Sequence, residues 1–287
     1  MSAATRDPVT TPPRRRPFKW GSLGRAVGLI LIILIFLGPI VWMILASFKL
    51  NVQIYDASKS FIFKPTLTNY STVFDPRRGN YLTYIWNSFY IAFMATGLSL
   101  VLAVPGAYSM SRFMMRRSAL TVLMARIIPG ISLLVPWYFI FARLQMTGGF
   151  GPLILSHMFV SLPLILYIMM SFFEQLPEEL EEAGQVDGLT AIGAFFRVAL
   201  PLSVPGIATA TILSFIFSWN NFMFALVLSG ASTKTLPVAI FDFIGYASID
   251  WGALMAASVV VTTPIMLIAL FTQRYIVTGL TAGATKG

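Results

Sequence analysis

Residues 174–201 read EQLPEELEEAGQVDGLTAIGAFFRVALP. Six acids (Glu174, Glu178, Glu179, Glu181, Glu182 and Asp187) stand here against one base, Arg197, a local charge of −5 in a chain whose net charge is +9. A loop that lies on anionic lipid is basic. This one is repelled by headgroups, so it faces solvent or a basic protein surface. The flanking stretches, 144–173 and 198–233, contain no Asp, Glu, Lys or Arg. An acidic elbow between two long charge-free runs is the pattern of a loop joining two membrane helices.

Four more charge-free stretches, 26–48, 79–111, 127–142 and 251–273, extend the pattern over the whole 287-residue chain. Only 11% of the residues are charged and 57% are hydrophobic, against about 25% charged in a soluble domain. That excludes a soluble enzyme, and the basic residues are not interleaved with stacking aromatics as nucleic-acid binding requires. A span needs about 20 apolar residues to cross roughly 30 Å of hydrocarbon. The sequence therefore predicts an all-α membrane protein with six transmembrane helices near 26–48, 84–110, 119–141, 150–173, 205–229 and 252–273. Arg126 interrupts the third, seven residues in, where it can snorkel toward the preceding basic loop.

The loops set the orientation. The segment before the first helix carries Arg6, Arg14, Arg15, Arg16, Lys19 and Arg25, and the second loop carries Arg112, Arg116 and Arg117. With six helices both lie on one side, with the tail after Arg274 and the acidic elbow. By the positive-inside rule that side, and both termini, are cytoplasmic. The expected organisation is a basic tail over 1–25, a six-helix domain over 26–273 and a second tail over 274–287. Arg15-Arg16-Pro17-Phe18-Lys19 resembles a twin-arginine export signal. The apolar run behind it is 23 residues long, beyond the roughly 7–15 of a signal h-region, so the tail reads as an anchor for the first helix.

Chemistry of the chain's own is absent from this reading. None of the six lysines follows a glycine, so there is no phosphate loop, and there is no cysteine for a thiolate metal site. Leu228-Ser229-Gly230 matches a nucleotide-binding signature only by coincidence, at an outer membrane boundary. The one histidine, His157, sits among apolar neighbours, where packing is the commoner role. No Asp or Glu falls in the middle of a span, which argues against an ion-coupled carrier. No metal, catalytic residue or cofactor is assigned to the chain.

In the elbow, Pro177 suits a first helical position, the following glutamates favour the positive end of the helix dipole, and Gly188 offers a left-handed stop. This predicts a helix near 178–187 and a second from about 190 to 199, ending before Pro201. Leu180, Ala183, Gly184 and Asp187 share one face of the first. That face is either solvated or a shallow surface that another protein's backbone approaches closely.

The run Glu182-Ala183-Gly184, three residues, Gly188, nine residues, then Val198-Ala199-Leu200-Pro201 resembles the E-A-A-x3-G-x9-I-x-L-P loop of ABC-importer permeases, with glycine for the second alanine and valine for isoleucine. The likeness continues in Phe63-Lys64-Pro65-Thr66-Leu67-Thr68-Asn69-Tyr70, Ser218-Trp219-Asn220-Asn221-Phe222, Asp250-Trp251-Gly252, Gln273-Arg274-Tyr275 and Gly279-Leu280-Thr281-Ala282-Gly283. Together these are similar to the smaller, six-helix permease of maltose-type carbohydrate importers. The resemblance implies a permease subunit in the bacterial inner membrane, forming half of a sugar pathway. It implies partnership with a second permease, two cytoplasmic ATPases that hold ATP and Mg, and an extracytoplasmic solute-binding protein. In that setting the elbow is a coupling helix: Glu182 and Asp187 contact the ATPase, Ala183 and Gly184 allow close packing, Gly188 sets the turn, and Leu200 and Pro201 complete the motif. Sugars are read by planar hydrogen bonds and aromatic faces. Ser218, Trp219, Asn220 and Asn221 are therefore the pathway candidates, with interhelical hydrogen bonding as their other reading; the family often has Glu where this chain has Asn221. A stand-alone channel or gradient-driven carrier is the alternative function.

Overall fold

The computed structural model describes residues 20–246 and 248–281. The basic tail expected over 1–25 lies outside the described residues up to position 19, and the second tail from 282 onward. The chain divides into two units, 1–43 and 44–287. Within the first, helix α1 (Trp20–Ser47) carries Arg25 near its start and is apolar from Val27 onward, with Leu29, Ile33 and Phe36 exposed.

The second unit is built on α2 (Tyr81–Arg112), α3 (Arg116–Met124), α4 (Gly130–Arg143), α5 (Phe150–Phe173), α6 (Glu179–Val186), α7 (Ala191–Leu202), α8 (Val204–Trp219), α9 (Met223–Leu228) and α10 (Trp251–Thr281). Among the described residues, β structure is limited to two isolated bridges, Gly148 with Ser229 and Ile244 with Ile249. Four helices are long and apolar enough to cross a bilayer alone: α1, α2, α5 and α10. A fifth crossing results if α7 and α8, bent by 71° at Ser203, count as one.

Two expected spans are divided, and the reasons are local. The third, predicted over 119–141, breaks at Ile128, whose backbone is extended (φ −68°, ψ 117°). Proline disfavours the helical conformation in the residue before it, and Pro129 follows. Arg126, the residue singled out in the sequence, lies two residues before Ile128 in a short 3-10 segment. The fifth, predicted over 205–229, stops at Trp219 and resumes at Met223. Asparagine amides compete with the helix for backbone partners, and Asn221 Oδ1 accepts the Phe224 N–H at 3.2 Å. The second elbow helix also differs: it does not end before Pro201 but passes through a π turn, Phe195–Ala199, and runs to Leu202. The bend comes after it, where Pro205 withholds the N–H that would continue the ladder.

In lipid, packing rather than water exclusion joins helices, so small residues line close contacts. Ala92, Ala95, Ser99, Ala103 and Ala107 form such a stripe on α2, spaced by three or four, and all are fully buried. On it pack Leu153, Ile165 and Met169 of α5 and Ala210 and Ser214 of α8, all buried.

One end of this bundle is tied by side chains that read loop carbonyls. Asn69 donates to Ser47 O and Lys49 O, both at 2.7 Å. Asn87 donates to Ser232 O and Lys234 O, both at 2.9 Å, and the Tyr81 hydroxyl donates to Ala239 O. Asn51 bridges Asp250 Oδ1 and the Gly252 N–H. The two sequence segments 63–70 and 250–252 thus meet in one structural knot: a Cβ on Gly252 would lie 2.5 Å from Asn69 Oδ1.

At the other end Gly206 plays the same part, since a Cβ there would lie 2.5 Å from the Phe172 ring. Overpacking of this kind costs about 1–3 kcal/mol. Gly206→Ala is expected to lower the melting temperature of the detergent-solubilised protein, whereas Gly97→Ala, with open space at its Cβ, leaves it unchanged or raised. Equal melting of the two variants would show that the α5–α8 contact is loose.

Candidate functional site

The acidic elbow lies at the end of the bundle where α2 and α5 finish. Helix α6 forms as its residues dictate. Glu179, Glu181 and Glu182 occupy the first turn, and the helix stops at Asp187. Gly188 takes φ +93°; its N–H bonds Gln185 O and the Leu189 N–H bonds Gly184 O, both at 3.0 Å. That pair of bonds is the Schellman stop, which glycine adopts at no steric cost. A turn later Thr190 caps α7 by accepting the Gly193 N–H at 3.1 Å.

The elbow presents two opposite faces. Glu179, Leu180, Glu182, Ala183, Gln185, Val186 and Asp187 are exposed, Val186 by 86%. This is a mixed acidic and apolar surface with Ala183 at its centre. Gly184 does not share that exposure with Ala183 as the sequence predicted. A Cβ on Gly184 would meet Leu189 at 3.2 Å and Val198 at 3.4 Å, so its smallness serves the closure of the elbow on itself. Leu200 is half-buried against the core around Ile165 and Phe173, and Pro201 is exposed.

Glu181 is the residue that sequence reasoning passed over. It is 5% exposed, while the other five acids of the segment are all exposed. Its Oε1 accepts Arg112 Nε at 3.0 Å and Nη2 at 2.6 Å, and its Oε2 accepts the Tyr108 hydroxyl. The signal was present: Arg112 is the first base after an apolar span, and Glu181 is three residues from Glu178 and four from Pro177 on the side opposite Ala183.

The four pathway candidates separate. Trp219 is buried and its Nε1 donates to Val261 O of α10 at 3.1 Å. Ser218 is buried with its Oγ 2.7 Å from His157 Nδ1 on α5. Both make interhelical hydrogen bonds, the second reading the sequence left open. Asn221 is half-buried and turned to the backbone of α9, and Asn220 is exposed at the break. Ser229 and Gly230 belong to the far end, where Thr233 Oγ1 donates to Gly148 O at 2.8 Å and Ser229 bridges Gly148. Among the described residues no three acids or histidines are grouped to hold a metal ion.

Residues 95–281 match the family described as binding-protein-dependent transport system inner membrane component. The chain is 33% identical over 284 residues to a sulfoquinovosyl glycerol transport system permease protein of Agrobacterium fabrum, covering 97% of this chain and 99% of the relative. It is 36% identical over 266 residues to a trehalose/maltose transport system permease protein of Thermococcus litoralis, covering 91% and 95%. Among solved structures, a chain of a bacterial ABC transporter involved in the import of the acidic polysaccharide alginate has the same fold. Its TM-score is 0.76 at 20% identity, over 92% of this chain and 99% of that one. The chain belongs to the binding-protein-dependent transport system inner membrane component family, and is a multi-pass permease subunit of an ABC importer in the bacterial inner membrane.

Proposed function

We propose that this permease forms half of the pathway for a sugar or sugar-linked solute and that α6 is its coupling helix. The observation that carries the reading is the exposed face of α6. Val186, Leu180 and Ala183 are exposed amid Glu179, Glu182 and Asp187, and none of the described residues covers that face. An apolar centre rimmed by charge is the form of a protein contact, and the net −5 of the segment calls for a basic partner surface. A separate ATPase that binds ATP and Mg is that partner. The curated relatives are permeases of sugar-glycerol and trehalose/maltose systems, which supports a glycosyl-bearing solute delivered by an extracytoplasmic binding protein.

The proposed topology has six crossings with both termini in the cytoplasm. The third crossing comprises α3 and α4 on either side of Pro129, and the fifth comprises α8 and α9 on either side of Asn220 and Asn221. A second permease completes the pathway, because Ser218 and Trp219 are already bonded within this chain.

Two experiments test this. The chain has no native cysteine, so single cysteines report sidedness cleanly. Gln185→Cys is expected to react with a membrane-impermeant maleimide only in inside-out vesicles, and Ser71→Cys only in spheroplasts; the reverse pattern would refute the orientation. For the docking, Ala183→Trp is expected to reach the membrane in normal amount while co-purifying ATP hydrolysis falls by tenfold or more, as loss of a central contact worth about 2 kcal/mol implies. Unchanged co-purification would place the ATPase elsewhere.

A further inference from the structure

The Arg112 guanidinium stands where three helices end. It holds Glu181 of α6 through Nε and Nη2, donates from Nη1 to Phe173 O of α5 at 2.9 Å, and from Nη2 to Leu176 O at 3.2 Å. Glu178 lies 3.8 Å from Nη1. The arginine side chain is only 11% exposed and that of Glu181 7%. Tyr108, one turn earlier on α2, bonds the other carboxylate oxygen. Its ring packs against Phe173 of α5 at 5.4 Å and Phe195 of α7 at 4.7 Å. One guanidinium carried by α2 thus reaches the end of α5, Leu176 in the loop that follows, and α6.

Stability alone does not explain such a pair. A buried ion pair is often matched or exceeded by apolar residues of the same volume. What a planar, five-donor fork adds is a fixed relative geometry of the groups it binds. Here those groups are the bundle and α6, the helix proposed above to dock the ATPase.

We propose that Arg112, Glu181 and Tyr108 are positioning residues for energy coupling, locking α6 to α2 and α5 as one body. Any displacement of α6 is then delivered to the membrane helices rather than absorbed by the loop 174–178. The proposal rests on the reading of α6 as the coupling helix, but it concerns the buried face and not the docking face. Glu181 is buried against Arg112 and Tyr108; its task is to convert motion of α6 into motion of α2 and α5.

The test uses the assembled transporter purified from its own membranes with its ATPase bound. Met223→Cys, exposed beside the break after α8, serves as the reporter, and its maleimide labelling rate is measured with and without the non-hydrolysable nucleotide AMP-PNP. In the Glu181→Gln background the ATPase is expected to remain bound and to hydrolyse ATP, while the nucleotide-dependent change in labelling shrinks by about twofold or more. Tyr108→Phe, which removes one hydroxyl, should give a smaller loss in the same direction and covers the case in which Glu181→Gln does not accumulate. The exchange R112E/E181R should restore part of the response. An undiminished response in Glu181→Gln or Tyr108→Phe overturns the proposal, as does loss of the ATPase from the complex in those variants. Failure of the docking reading is distinct: it shows as ATPase retained in Ala183→Trp.

Discussion

Everything in the second unit hangs on how closely α2 is approached. Hydrocarbon offers no partner to a free N–H or C=O and no hydrophobic force between helices, so association must come from contact area. The stripe Ala92, Ala95, Ser99, Ala103 and Ala107 supplies it by keeping side chains out of the way. Gly206 does the same for α8, lying against Phe172 with no room for a methyl group. Close backbones leave little room for adjustment. The breaks at Ile128, Ser203 and Asn220 divide the long apolar runs into shorter helices.

The two ends of the bundle are finished differently. At the end carrying loops 48–80 and 229–250 the joining is spread over many side chains: Asn69, Asn87 and Tyr81 donate to carbonyls far away in sequence, Asn51 joins Asp250 to the Gly252 N–H, and Lys49 donates to Ser60 O. Such bonds contribute about 1 kcal/mol each, and their number makes a firm cap. At the elbow end the joining is concentrated in Arg112 and its partners. A strong and directional junction there is what the proposed coupling role of α6 calls for.

Much of this was legible in the residues, and where it was not the reason is specific. Charge-free runs located the helices because burial of charge is costly in lipid. Pro177, the glutamates and Gly188 placed α6 within a residue of its observed ends, because capping is local chemistry. Periodicity said nothing about the breaks: an apolar run has the same composition whether or not Pro129 or Asn220 interrupts its hydrogen bonds. Gly184 was misplaced for a related reason. Helical spacing fixes which residues share a face but not which neighbour, here Val198 from the next helix, comes to cover it. Glu181 was hidden by its five exposed companions, since counting charge cannot tell a solvated glutamate from one paired with an arginine 69 positions away.

The pathway candidates carry the argument one step further. Four polar residues in a row, 218–221, read naturally as a binding motif. In the fold Ser218 meets His157, Trp219 meets Val261 and Asn221 serves the start of α9. Each of these bonds satisfies a group that would otherwise be stranded in the bilayer, a cost of several kcal/mol. Only Asn220 is left to face outward, and it does so where the helix is already broken. A chain that uses its polar side chains to close its own core leaves little with which to surround a solute. That is the physical reason the proposed pathway calls for a second subunit: in this chain the groups at 218, 219 and 221 already have partners.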